Sequence, residues 1–163
     1  MNGINLVLRA VHHGERQLAE DLKVVADRHR AEHEVHHVAT DLARWSREHV
    51  QRVADTAHAH GLDLADAPDA SSSGLLATLR EKAADAVGSR PEPGLLLLRD
   101  LRELHLSATE NSVYWEMLAQ AAQATKDSTL LELASSCHPQ TLRQMRWTNT
   151  MIKNLAPQIL TGL

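Results

Sequence analysis

His49 stands where the surrounding pattern asks for an aliphatic residue. The stretch from Val35 to His60 holds neither proline nor glycine. In it Val38, Leu42, Trp45, His49 and Val53 recur at three- and four-residue steps, the spacing of one helical stripe that faces a core. Glu15 breaks the pattern in the same way, on a stripe with Leu8, Val11, Leu18, Leu22 and Val25. A carboxylate at a core-facing position is expensive unless it is paired, protonated or bound to a metal. Two solutions follow. His49 hydrogen-bonded to Glu15 across a helical hairpin satisfies both groups without a ligand. Alternatively, the two join His12, one turn from Glu15, in a reduced one-metal site completed by Glu110 or His105. Such a site suits iron, manganese or zinc and redox or storage chemistry.

A second group is His29, His33, His36 and His37. Its four-residue steps can chelate zinc, nickel or copper when they fall on one helix face; the alternative is a solvated turn. Cys137 lies on an apolar stripe and reads as a buried structural thiol, with His138 beside it as its only hint of metal or redox chemistry. Trp45, Trp115 and Trp147 read as core filling. No Gly-rich phosphate loop, G-x-S-x-G or C-x-x-C occurs, so hydrolase, kinase and dinucleotide readings have no foothold.

The elements that must position these residues are helices. Hydrophobic residues make up 43% of the 163, yet aromatics are only 2% and phenylalanine is absent. The core is therefore Leu, Val, Ala and Met, and strand signals are scarce. The length fits one domain, 1–163. Periodicity predicts helices over roughly 4–28, 33–60, 75–87, 94–125 and 128–155. The polar run D-R-H-R-A-E-H-E (Asp27 to Glu34) reads as a turn in preference to one unbroken helix from Ile4 to His60. Gly14 beside Glu15 lowers helix stability by about 1 kcal/mol relative to Ala and points to a close approach by a neighbouring helix. After His60 a Gly, Pro, Asp and Ser cluster opens a long connection containing the short helix 75–87. The run Leu95 to Leu98 is more apolar than one face needs and suggests a subunit contact, most simply in a dimer. Pro139 is expected to kink the last helix and Pro157 to end it.

A net charge of -4, from 17 basic and 21 acidic residues, leaves no basic footprint for nucleic acid. A single cysteine excludes an internal disulfide and fits a reducing compartment. No run approaches membrane-spanning length, and the opening M-N-G-I-N-L-V-L lacks the basic n-region of a signal peptide, so a cytoplasmic protein is expected.

Two hairpins joined by one long crossover, together with G-E-R-Q-L (Gly14 to Leu18), H-V-Q-R-V (His49 to Val53) and Gly61, resemble the small bacterial proteins of the ferritin-like superfamily over roughly residues 6 to 62. The resemblance implies a four-helix bundle and an inward di-iron site of two single Glu and two Glu-x-x-His pairs. Glu15 matches the first single Glu. Ser46 stands three before His49, giving S-x-x-H. Glu110 or Asn111 falls at the second single Glu, and Gln140 and Arg143 fall at the last pair. Arginine stays protonated and is no metal ligand. The expectation is therefore a ferritin-like bundle without a complete di-iron site or resident cofactor, acting as a homo-oligomeric structural or interaction protein. A metal-binding protein of the same fold, or a bundle with a small-molecule pocket lined by Trp115 and Met145, is the alternative.

Overall fold

The computed structural model describes residues 2–64 and 92–162. These form four α-helices and no strand: α1 Gly3–Arg28, α2 His33–Ala59, α3 Pro93–Thr125 and α4 Ser128–Thr161. The short helix expected over 75–87 lies outside the described residues. Every helix end except the last falls within a residue of the periodic reading.

The exception is α4, which runs unbroken through both Pro139 and Pro157 and ends at Thr161 instead of near 155. A proline inside a helix strands the carbonyl four residues back. Here those carbonyls belong to Ser135 and Lys153, both on the exposed face, where water serves them. On the inner side Ile159 packs at the start of α3, so closely that a Cβ on Gly94 would meet its Cγ2 at 2.9 Å.

The other ends are fixed by specific polar contacts. Asn2 caps α1 through Oδ1, which accepts from the Ile4 N–H at 2.9 Å. The turn between α1 and α2 has no glycine. It is held by His36 Nδ1, which donates to the Ala26 carbonyl (2.8 Å), and by His29, drawn onto Asp100 (2.7 Å). At the far end of α2, Gly61 adopts φ 77°, and the Leu62 and Gly61 N–H groups return to the Ala57 and His58 carbonyls. That is a Schellman closure. Asp127 caps α4 by accepting from the Leu130 N–H at 3.0 Å, and its other oxygen meets His60 Nε2 at 2.6 Å.

These contacts also fix the topology. Arg28 and His29, at the end of α1, bond Asp100 near the start of α3. His60, at the end of α2, bonds Asp127 at the start of α4. Hence α1 is antiparallel to α3 and α2 to α4, while the α1/α2 and α3/α4 hairpins are antiparallel by their short turns. It follows that α2 and α3 run in the same direction, so the end of α2 and the start of α3 lie at opposite ends of the bundle, about 40 Å apart for helices of this length. This is the one-long-crossover topology.

The His60–Asp127 pair makes stability depend on pH. The Asp127 hydrogen bond, followed by the bond to the Thr56 carbonyl, raises the His60 pKa above 6.5. The His60 bond, aided by the Leu130 N–H, holds Asp127 below 3.8. A raised folded-state His contributes fully below 6.5 and its contribution is lost as pH rises through the folded value; a depressed Asp contributes fully above 3.8 and is lost on acidification. In urea titrations, the stability difference between the wild type and His60→Ala should therefore be largest near pH 5–6 and shrink by pH 9.

Candidate functional site

The core is divided in two. At one end Leu8, Val11, Val53, Ala57, Trp115, Leu118, Leu130, Leu133 and Cys137 pack together. At the other, Leu18, Leu22, Val25, Val35, Leu42, Leu97, Leu101, Leu104 and Met151 do so. In each helix the stripe turns polar between these clusters: Glu15 in α1, Ser46 and His49 in α2, Asn111 in α3, and Thr141, Gln144 and Thr148 in α4. All are buried. The polar layer is the chemically distinctive part of the interior.

Glu15 is its centre. Its Oε1 accepts from Trp115 Nε1 (3.1 Å) and Thr141 Oγ1 (3.5 Å), while its Oε2 lies 3.2 Å from His49 Nδ1. His49 Nε2 donates to Gln140 Oε1 at 2.7 Å, and the ring stands edge-on to Trp115 with centroids 5.9 Å apart. With Nε2 committed to Gln140, the other ring nitrogen, Nδ1, is left facing Glu15 Oε2. Gln144 Nε2 donates to the Leu42 carbonyl (3.1 Å) and Ser46 Oγ (2.9 Å). Four buried atoms of the layer have no aligned hydrogen-bond partner: Glu15 Oε2, His49 Nδ1, Asn111 Nδ2 and Gln144 Oε1. Gly14 explains the helix approach at this level, since a Cβ there would meet Asn111 Oδ1 at 2.1 Å.

The structure thus brings Glu15 and His49 together, while Glu110 and His105 bond elsewhere. Glu110 is exposed and accepts from the Tyr114 hydroxyl; its neighbour Asn111 points inward instead. His105 bonds Thr148 Oγ1 and the Met145 carbonyl. His12 is buried, and burial, then Arg16 and His13, lower its pKa below 6.5. On α4, Arg143 is exposed and the inward three-residue pair is Thr141 with Gln144, although Gln140 does reach His49. Regular three- and four-residue steps from Leu130 through Leu133 and Cys137 lead to 141, 144 and 148. Following the apolar Met145 and Ile152 instead leads one residue off the stripe. Trp115 fills the centre, and a surface cleft of about 270 Å³ between Arg16, Glu20, Lys23 and Arg47 is lined by neither Trp115 nor Met145.

The histidine group splits, His29 turning inward while His33, His36 and His37 stay in ring contact at the start of α2. His29 is buried against Asp100, which Arg28 Nη1 also grips at 2.8 and 3.0 Å. Burial raises the Asp100 pKa, but bonds from His29, Arg28 and Arg99 outweigh it and hold the carboxyl below 3.8. His33 and His37 stack with centroids 6.3 Å apart on the exposed first turn of α2. The expectation that H-E-x-x-H is absent is wrong, since His33-Glu34-Val35-His36-His37 spells it. That motif works as a metal site only with a third ligand, and among the described residues no group of three His, Cys, Asp or Glu is placed to hold an ion.

Cys137 is fully buried, and burial pushes its thiol up to about 12. His138 turns away to Ser112 Oγ at 2.9 Å. Native protein should therefore leave Cys137 unlabelled by maleimide over an hour at pH 8, whereas denatured protein reacts at once; rapid native labelling would contradict this placement.

Fold and site together define a four-helix bundle with one long crossover and a buried polar layer centred on a carboxylate–imidazole pair. No protein-family model matches the chain, and no match is found among curated proteins or solved structures. Among the described residues, no helix is long and apolar enough to cross a membrane.

Proposed function

We propose that this chain is a ferritin-like bundle whose di-iron site has been replaced by a hydrogen-bonded layer, and that it acts as a non-catalytic, homo-oligomeric structural or interaction protein of the cytoplasm. One observation carries the reading. The inward polar positions include one on α1 (Glu15), a three-residue pair on α2 (Ser46, His49), one on α3 (Asn111) and a three-residue pair on α4 (Thr141, Gln144), with Thr148 a further turn along α4, each no more than 1% exposed. This is the distribution one, pair, one, pair that ferritin-like di-iron sites fill with Glu, Glu-x-x-His, Glu and Glu-x-x-His.

The residues do not fit an iron pair. Ser46, Asn111, Thr141 and Gln144 carry neutral hydroxyls and amides where bridging carboxylates and a second imidazole are required. Glu15 Oε1 already receives Trp115 and Thr141, leaving one carboxylate oxygen and one ring nitrogen as donors. Without charge to neutralise an iron pair, the layer serves to register the four helices.

Metal content of untagged, dialysed protein by plasma mass spectrometry, beside a Glu15→Ala, His49→Ala double variant, tests this. The expected result is well below one ion per chain in both. Stoichiometric iron, manganese or zinc that disappears in the variant would overturn it and establish a metal site at Glu15 and His49.

A further inference from the structure

Eight large hydrophobic residues are exposed among the described residues, and six belong to the second hairpin: Leu95, Leu106, Val113 and Met117 on α3, and Leu142 and Leu160 on α4. The α3 members are separated by 11, 7 and 4 residues, so they form one stripe on the side of α3 opposite its core stripe of Leu97, Leu101, Leu104, Ala108 and Trp115. His105 bonds the Met145 carbonyl and Ser112 bonds His138, which sets Leu142 level with Ala108, within one residue of Thr109 midway along the hairpin. The first hairpin carries only the other two, Leu6 and Val24, both on α1. A soluble bundle gains nothing by placing leucines on one outer face.

We propose that this α3/α4 face is the contact of a homodimer, with a second copy of the chain as its occupant. This rests on the reading of the chain as a homo-oligomeric interaction protein and names the surface. Self-complementarity argues for a second copy. In an isologous contact a two-fold axis pairs each residue with one equally far on the other side. Arg102 and Glu116 stand equally far from Thr109, and the midpoint of Leu106 and Val113 falls within one residue of it. An antiparallel two-fold axis at Thr109 therefore sets Leu106 on Val113, Arg102 near Glu116, and Leu142 on its own copy. Arg102 and Glu116 are both well exposed, at 65% and 62%, where Arg102 holds its neighbour Glu103 and Glu116 lies beside His138, solvent-exposed contacts that can be exchanged for one across the interface. From Leu95 to Met117 the face is about 33 Å long, and two helices make it about 20 Å wide. That area is on the scale of the roughly 800 Å² per partner that a specific interface buries.

Sedimentation velocity on the full chain between 1 and 200 μM tests the surface, with thermal melts to confirm that each variant folds. The wild type should be a dimer. Leu106→Glu with Leu142→Glu should raise the dissociation constant at least about a hundredfold while leaving the melt intact, as expected at exposed positions. Arg102→Glu or Glu116→Arg alone should weaken the dimer about tenfold by opposing like charges, and the two together should restore it. A monomeric wild type, a dimer indifferent to the two glutamates, or a charge swap that fails to restore would each overturn the proposal. Metal analysis of the same material keeps the readings apart: a metal-free monomer sinks the surface and leaves the replaced-site reading standing, whereas a metal-loaded dimer does the reverse.

Discussion

Replacing Glu15 with alanine should lower the unfolding free energy by about 3–5 kcal/mol, the scale of breaking a buried carboxylate–imidazole pair by removing one partner. The size follows from what the carboxylate serves. Its loss strips the Trp115 indole N–H of its acceptor and leaves His49 Nδ1 facing a void. Both residues are no more than 1% exposed, so water cannot substitute without the bundle opening. Glu15→Gln keeps an oxygen for Trp115 and roughly the same volume, and should cost only about 1–2 kcal/mol. Urea titrations of both variants, with His49→Ala to complete a double-mutant cycle, would read this directly. A loss below 1 kcal/mol for Glu15→Ala would show that the layer is not a coupled network.

Gly14→Ala should destabilise the protein by about 1–3 kcal/mol, the usual range for overpacking a core, against the normal sign for an interior helix position. Alanine is the better helix former by about 1 kcal/mol, so an unconstrained site would gain. Here the added Cβ falls 2.1 Å from Asn111 Oδ1. Asn111 is packed inside the layer and has no exposed route of escape, so α1 and α3 must separate or the amide must break its packing. Asn111→Ala in the same chain removes the clash, and Gly14→Ala should cost markedly less in that background. Equal costs in both backgrounds would mean that the glycine is required for another reason.

Much of the architecture was legible because apolar periodicity survives substitution of its least apolar members. Glu15 and His49 were visible as polar intrusions in otherwise clean stripes, and Gly14 signalled close approach by a neighbouring helix, which is α3 through Asn111. The α1/α2 turn was legible from a polar run alone, although what holds it, His29 on Asp100 and His36 on the Ala26 carbonyl, is long-range and leaves no local signal. Thr141 and Gln144 were not legible. Hydroxyl and amide residues on a helix look like solvated positions, and the neighbouring Met145 and Ile152 form a competing apolar line that packs only partly into the core. Ser46 was hidden similarly by Trp45, whose large ring sits half-buried beside the stripe while the small serine occupies its centre. Pro157 misled for a different reason. Its cost falls on an exposed carbonyl, and continued packing of the last turn against Gly94 carries the helix past it.

The most direct test of the replaced-site account is to rebuild the site. A variant carrying Ser46→Glu, Asn111→Glu, Thr141→Glu and Gln144→His, refolded with ferrous iron under anaerobic conditions, supplies the missing carboxylates and imidazole at the four neutral positions. The measurement is iron per folded chain after desalting. The account predicts about two irons in the variant and none held by the wild type, with the helical spectrum of the wild type retained. A variant that folds yet retains no iron would contradict it, because the six inward positions would then lack the geometry of a di-iron site.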